Sequence, residues 1–283
     1  DAVVSPVVPG SVADKAQTAA VTDLNADSAD VNETVTYTKV GSLVPSSSDG
    51  NFPGAPTVVY PNDPSDATKV TPAGVPTVPG YTAHDPEGHV LTPGSSYQPS
   101  DPTKDTTITY TADKQEGSVS YVDDTTGKTL KTDSISGTTG SKSSYSTSGS
   151  IADYKKHGYE LVTDGYPADL TFDNDDATDQ NFTVHLKHQL TPVNPTDPQT
   201  PGAPINPDEP DGPKWPTSTN YDKTVNETVS YVDQNGHVVA KQHTDSVNFT
   251  RTVVVDNVTG EVITSGAGTT AWTATNGDTT FDA

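Results

Sequence analysis

Four aspartates lie close together in the stretch DNDDATDQN, which begins at Asp173. Carboxylate oxygens are ligands that calcium prefers, so Asp173, Asp175 and Asp179 are candidate calcium ligands. The stretch is not an EF-hand loop, because its sixth position lacks glycine and its twelfth is Val184 rather than glutamate. Two interpretations remain open: a calcium site, or an acidic turn before a strand.

Motifs for catalysis are missing from the chain. The sequence holds no GxSxG, no HExxH and no glycine-rich phosphate loop, and without cysteine it has no thiol chemistry. The serine-rich stretches at residues 94–96 and 141–149 lack a histidine and a carboxylate at a recognisable spacing. We therefore predict that the protein is not an enzyme and, calcium apart, has no cofactor.

The charge of the chain restricts its partners. Lysine and arginine number 15 against 38 acidic residues, which gives a net charge of -23. A chain of this charge repels nucleic acid and anionic lipid. No apolar run approaches the roughly 18 residues of a membrane span, so we predict no nucleic-acid partner and no membrane insertion of this stretch.

Two similar stretches of the sequence predict two β-hairpins. SVSYVDDTTGKTLKTDS begins at Ser118, and TVSYVDQNGHVVAKQHTDS begins at Thr228. Each reads as a strand, a turn closed by glycine (Gly127 and Gly236) and a returning strand. Only 30% of the residues are hydrophobic, which suits several small cores better than one large core.

Further strands and one helix complete the pattern. Alternation with period two predicts strands in VNETVTYTKVG from Val31, KDTTITYTADK from Lys104 and DQNFTVHLKH from Asp179. In SGSIADYKKHGYELV, Ser150 can cap a helix of about two turns that Gly158 ends. The predicted fold class is mainly β with a minor helical part.

Proline occupies every third position from residue 192 to residue 216. Three residues is the period of the polyproline II helix, which has no internal hydrogen bonds and would extend over roughly 80 Å here. Collagen is excluded, because the stretch has only two glycines. An SH3 ligand shares the spacing but has basic flanks, whereas this stretch carries four acidic residues and one lysine. We predict a stiff linker that holds small β modules apart in an elongated array.

Long phrases of the chain resemble a known family. The sequence from GSVSYVDDTTGK at residue 117 through FTVHLKH at residue 188 resembles the MucBP domain of mucus-binding adhesins of Gram-positive bacteria. FTRTVVVDNVTGEVI through AWTATNGDTTF, and SPVVPGSVADKAQ through ADVNETVTYT, resemble the two halves of the companion module in the same Mub repeats. Two departures stand out: the companion module is split across the two ends of the chain, and Ser11 replaces the tyrosine that usually follows Pro-Gly.

The repeats and the resemblance divide the chain into five segments. We predict the closing half of a companion module at 1–40, a divergent β module at 41–115, a MucBP-like module at 116–190, the proline linker at 191–216 and the opening half of a companion module at 217–283. The resemblance implies a β-grasp-like fold. It also implies an extracellular parent protein anchored to the cell wall by a segment outside this stretch.

Mucin glycans are the ligand that the resemblance implies, and immunoglobulin is a second partner associated with such repeats. Sugar rings stack on exposed aromatic side chains, so Tyr154, Tyr159 and Tyr166 near the predicted helix are the candidate binding residues, although Tyr159 also suits a core position. We expect Trp272 in a core and Trp215 packed on the module that follows it.

Three functions fit the sequence. The first is an adhesin repeat that binds mucin glycans weakly at each site and gains strength from many linked sites. The second is a protein-binding module for immunoglobulin. The third is a stalk without a ligand of its own, which would only project a distal part of the parent protein.

Overall fold

The computed structural model describes residues 1–283 and is built from nineteen short strands, one α-helix and one 3-10 helix. The chain divides into two compact units. The first comprises Asp1–Ser118, Ser134–Ser144 and Asp169–Gln180, and the second comprises Val119–Asp133, Tyr145–Ala168 and Asn181–Ala283.

The first nine strands lie in the N-terminal part of the chain. They are β1 Ser11–Ala13, β2 Tyr37–Lys39, β3 Ser42–Ser46, β4 Val58–Val59, β5 Ala73–Gly74, β6 Tyr81–His84, β7 Val90–Leu91, β8 Ser96–Tyr97 and β9 Thr106–Ala112. A five-stranded sheet has the order β4-β3-β9-β6-β7, in which β3 and β9 are parallel. Two further sheets pair β1 with β2 and β5 with β8.

Alternation along β9 builds the core of this unit. Ile108 and Tyr110 are buried and pack in one cluster with Leu43 and Tyr60, while the residues between them point to solvent. The Tyr60 hydroxyl is hydrogen-bonded to the Thr106 hydroxyl at 2.6 Å, so its polar group is satisfied inside the core. The strand predicted in KDTTITYTADK is confirmed. The strand predicted from Val31 is confirmed only over Tyr37–Lys39.

A hairpin and a second pair of strands form the next sheet, and a helix connects them. The strands are β10 Lys114–Asp123, β11 Lys128–Thr138, β12 Tyr159–Asp164 and β13 Gln180–His188, and the helix is α1 Ser148–Lys156. The sheet order is β11-β10-β13-β12, as expected of a β-grasp-like module. Val119, Tyr121, Val184 and Leu186 from the two central strands are completely buried. The predicted hairpin and closing strand are therefore confirmed.

The helix is present, but it begins earlier than predicted. Thr147 rather than Ser150 occupies the N-cap position, and Ser150 lies inside the first turn, where its hydroxyl accepts a hydrogen bond from the Lys131 ammonium at 2.6 Å. The predicted cap is wrong because the helix begins at Ser148, which places Ser150 inside it. The predicted end is confirmed, since Gly158 has a φ of +92° in the left-handed region.

The C-terminal strands form two small sheets. They are β14 Leu190–Val193, β15 Asp222–Val232, β16 Val238–Thr250, β17 Val253–Asp256, β18 Val262–Ile263 and β19 Thr273–Ala274, with a 3-10 helix at Ser218–Asn220. The sheet orders are β14-β17-β18 and β15-β16-β19. The hairpin predicted from Thr228 is confirmed as β15 and β16. Its Tyr231 is 45% exposed, whereas Tyr121, at the matching position of the first hairpin, is completely buried.

The polyproline II linker predicted at 191–216 is wrong. Its first residues belong to β14, which pairs antiparallel with β17. Farther along, the amide of Trp215 donates to the carbonyl of Ala203 at 2.9 Å, and the amide of Ile205 donates to the carbonyl of Pro213 at 2.8 Å. A polyproline II helix has no such internal bonds.

The physical reason is that a proline at every third position removes only one amide donor in three. The remaining residues include asparagine and glycine, which reverse the chain, and Ile205 and Trp215, which gain from burial. Both side chains pack on the buried cluster of Val193, Tyr221, Val253 and Val255. The expectation that Trp215 packs on the segment after it is confirmed.

Trp272 is not a core residue. It is only partly buried, with the guanidinium of Arg251 4.4 Å and the ammonium of Lys223 5.1 Å from its ring centre. The expectation of a buried tryptophan is wrong, because cations rather than apolar side chains cover the ring. The bounds of the other four predicted segments stay a prediction.

We expect Gly158→Ala to destabilise the protein by about 3 kcal/mol or more, because an added Cβ would combine left-handed strain with a clash against the backbone of Asn257. Gly236→Ala is the matched control, since Gly236 has a φ of +82° and open space around it, and should cost about 1 kcal/mol. Urea unfolding of both variants measures the difference. Equal losses would contradict the close approach at Gly158.

Candidate functional site

A cleft of about 370 Å³ lies in the second unit, between the end of α1, the start of β12, the proline-rich segment and the turn after β17. We call it the tyrosine cleft. Its lining comprises Asp153, Tyr154, His157, Tyr159, Ile205, Asn206, Glu209, Pro213, Asn257 and Val258. The proline-rich segment supplies four of these residues, so the cleft exists because that segment folds back.

Two of the predicted binding residues meet in this cleft. The rings of Tyr154 and Tyr159 pack edge to face with their centres 5.5 Å apart. Tyr154 also packs against Tyr121, and Tyr159 packs edge to face against His188. Burial raises the pKa of both cleft tyrosines, so their hydroxyls stay protonated and can donate as well as accept hydrogen bonds.

A histidine and a carboxylate stand beside the two rings. The Nε2 atom of His157 lies 2.6 Å from a carboxylate oxygen of Glu209, and its Nδ1 atom lies 2.7 Å from the backbone carbonyl of Asp153. The hydrogen bond to Asp153 and that to Glu209 raise the pKa of His157 above its ordinary value, against partial burial. The imidazolium form donates at both nitrogens, which both oxygens can accept.

The cleft therefore offers two kinds of contact within a small space. The tyrosine edges and the side chains of Ile205 and Pro213 are apolar. The imidazole of His157 and the carboxylates of Asp153 and Glu209 can exchange hydrogen bonds with hydroxyl groups. This combination suits a ligand with apolar C–H faces and many hydroxyls better than it suits a flat hydrophobic molecule.

Tyr166 lies apart from the tyrosine cleft. It is only 9% exposed and packs between Tyr145 and Phe182, with ring centres 5.3 and 5.5 Å away. The structure thus brings together two of the three predicted tyrosines and places the third in the interior. A role of any of the three in binding stays a prediction.

The predicted calcium ligands take part in turns. The carboxylate of Asp173 accepts the amide hydrogen of Asp175, and the carboxylate of Asp175 accepts that of Ala177. Asp173, Asp175 and Asp179 do not form a group whose ligand atoms lie within 4.8 Å of one another, whereas the partly buried Asp85 and the exposed Glu87 and His89 do. Calcium binding at 173–179 stays a prediction.

Sequence reasoning missed the polar part of the cleft. His157 and Glu209 are 52 residues apart, and Glu209 sits in the segment predicted to extend away as a rod. The apolar residues Val193, Ile205 and Trp215, among the prolines, are the signal in the sequence that this segment packs on a core.

We expect Glu209→Gln to lower the pKa of His157 toward its ordinary value, because the amide keeps the size of the side chain but removes its negative charge. The imidazole proton resonances of His157, followed by NMR through a pH titration, measure the shift. His237, which is exposed and distant in sequence, serves as the internal control. An unchanged titration of His157 would contradict the contact with Glu209.

Two segments of the chain match family models of known proteins. Residues 115–188 match the family model described as "Mucin binding domain", and residues 216–283 match the one described as "Muc B2-like domain". No curated protein matches the chain.

Two solved structures are similar to the chain. The type 2 repeat of the mucus binding protein MUB from Lactobacillus reuteri is 36% identical, with 56% of this chain and 74% of that chain covered and a TM-score of 0.38. The structure titled "Crystal structure of Mub-RV" is 34% identical, with 57% and 73% covered and a TM-score of 0.42. From the two family matches, which together span half of the chain, the chain belongs to the mucus-binding (Mub/MucBP) repeat family.

Proposed function

We propose that this chain is a mucin-binding module of an extracellular surface adhesin and that it contacts mucin glycans through the tyrosine cleft. The family match to a mucin binding domain supports the ligand, since α1 and β12, which carry Tyr154 and Tyr159, lie within the matched residues. The observation that carries the proposal is the pair of tyrosine rings beside the hydrogen-bonded His157 and Glu209 in one open cleft.

Glycan chemistry matches these groups. The C–H face of a pyranose packs on aromatic surface, and its hydroxyls donate to carboxylates and accept from an imidazolium or a tyrosine hydroxyl. Charge-assisted hydrogen bonds of this kind are stronger than neutral ones. Glu209 is the preferred carboxylate for this role, because it is held by His157 and remains partly exposed.

Each site should bind weakly. The chain has a net charge of -23, so long-range attraction to acidic mucin is absent. Arg251, the single arginine, is engaged through its Nε atom with the carbonyl of Asn220 and lies over Trp272. Useful adhesion then requires several linked sites, because the second contact is intramolecular.

The parent protein is extracellular in this proposal, as expected of a mucus-binding repeat, and attachment to the cell wall would be made by another segment. The helices of the chain lack the length and the hydrophobicity of a membrane-spanning helix. The family description that matches residues 115–188, "Mucin binding domain", names a binding function. Immunoglobulin binding and a pure stalk are the alternative outcomes of the test below.

We expect the purified chain to be retained on native mucin and lost from enzymatically deglycosylated mucin. Glu209→Ala should weaken retention about tenfold, because a charge-assisted hydrogen bond is removed. Glu116→Ala, at an exposed glutamate outside the cleft, is the matched control and should bind normally. Surface plasmon resonance on immobilised mucin provides the measurement.

The remaining arms of this experiment separate the alternatives. Equal retention on deglycosylated mucin would contradict a glycan ligand, and capture of antibody regardless of its glycans would favour the immunoglobulin function. Loss of binding with a chelator would indicate a calcium-dependent site. Absence of binding to every surface would leave the stalk function.

A further inference from the structure

A histidine between two carboxylates is buried next to the tyrosine cleft. His188, the last residue of β13, is 6% exposed. Its Nε2 atom lies 2.6 Å from a carboxylate oxygen of Asp123 at the end of β10, and its Nδ1 atom lies 2.7 Å from one of Asp256 at the end of β17. We call this group the His188 bridge.

The geometry of the bridge requires an additional proton. A neutral imidazole has one N–H donor, yet both ring nitrogens of His188 face carboxylate oxygens at hydrogen-bond distance. The arrangement is satisfied when the ring is an imidazolium and both carboxylates are ionised. The charge of the group is then -1, and loss of the ring proton would leave two buried carboxylates competing for one donor.

The surroundings of His188 favour this state. Burial alone lowers the pKa of His188, but the hydrogen bonds to Asp256 and Asp123 outweigh it and the pKa lies above its ordinary value. Burial raises the pKa of Asp123, but the hydrogen bonds from His188, Thr126 and Thr125 together outweigh burial, so the pKa lies below its ordinary value. The third titratable group that faces the imidazole of His188 is Tyr159, whose ring packs edge to face on it with the ring centres 5.2 Å apart.

The bridge connects the two family-matched parts of the chain at the cleft. Asp123 and His188 belong to the first match, and Asp256 belongs to the second. Next to Asp256, the amide of Asn257 donates to the carbonyl of Gln189 at 2.9 Å, and the amide of Gln189 donates to the carbonyl of Gly158 at 2.8 Å. Asn257 itself lines the tyrosine cleft.

We propose that the His188 bridge is a proton-dependent lock that holds the turn after β17 against β12 and β13 and so sets the shape of the tyrosine cleft. The proposal concerns regulation of the cleft and rests on the proposed function. While His188 is protonated, the bridge fixes Asp256 and the neighbouring Asn257. When His188 loses its proton, one of the two hydrogen bonds is lost and the cleft loosens.

The direction of the pH dependence follows from these states. The bridge is intact above the lowered pKa of Asp123 and below the raised pKa of His188. Its contribution is lost as pH rises through the pKa of His188, and it is lost again in strong acid as Asp123 is protonated. Glycan binding should therefore be strongest on the acidic side of the His188 titration and decline on the alkaline side.

NMR of the unmodified protein tests the lock without any ligand. Long-range proton–nitrogen spectra should show both ring nitrogens of His188 protonated at a pH above the ordinary pKa of histidine. The ring protons of Tyr154 and Tyr159 should shift with the same midpoint as His188. A single protonated nitrogen at neutral pH, or tyrosine signals that do not follow His188, would overturn the proposal.

Asp256→Asn provides the matched variant. The amide retains the oxygen that accepts the amide hydrogens of Val258 and Thr259, but it removes the charge that faces His188. The His188 midpoint should fall by about one pH unit or more, and the alkaline loss of retention on native mucin should move with it. Asp233→Asn, in the exposed turn of the second hairpin, should change neither.

The two readouts separate the lock from the proposed function. If the chain binds no mucin at any pH while the tyrosine rings follow His188, the glycan function fails and the lock stands. If mucin binding is present but its pH dependence follows His157 and is unchanged by Asp256→Asn, the lock fails and the glycan function stands.

Discussion

The pairing of Leu190–Val193 with Val253–Asp256 is the constraint on which the second unit depends. It fixes the start of the proline-rich segment on a sheet, so the remainder has to return across the cluster that contains Val253 and Val255. Ile205 and Trp215 bury apolar surface there, which offsets the entropy lost by ordering a long loop. One side of the tyrosine cleft is a direct product of this fold-back.

Small cores make such local constraints important. A chain with 30% hydrophobic residues has little apolar surface to bury, so polar contacts and close backbone approaches carry more of the specificity. Gly158 permits one such approach, to the backbone of Asn257. The His188 bridge provides another. A buried ion pair adds little net stability once its desolvation is counted, but removing one partner is costly, which makes the bridge suited to fixing one arrangement.

The parts that sequence predicts well are those with a local signal. Alternation located β9, β10, β13 and both hairpins, and the glycines at 127, 158 and 236 do adopt left-handed conformations.

Non-local contacts decided the rest. Ser150 lies inside the helix and accepts a hydrogen bond from Lys131, and cations cover the ring of Trp272. His188 binds carboxylates 65 and 68 residues away in the sequence. No periodic pattern in the sequence predicts such pairs of distant residues. The regular spacing of the prolines led to the wrong prediction of a linker for a related reason. The spacing is a local pattern, whereas Trp215 packs on residues that are distant in the sequence.

Amide hydrogen exchange within the proline-rich segment tests the central claim most directly. The amides of Gly202, Ile205 and Trp215, which donate to backbone carbonyls across the folded segment, should exchange slowly, at rates that approach those of the neighbouring strands. Exchange at the rate of an unstructured peptide would mean that the segment extends into solvent, and the cleft as described would then not exist.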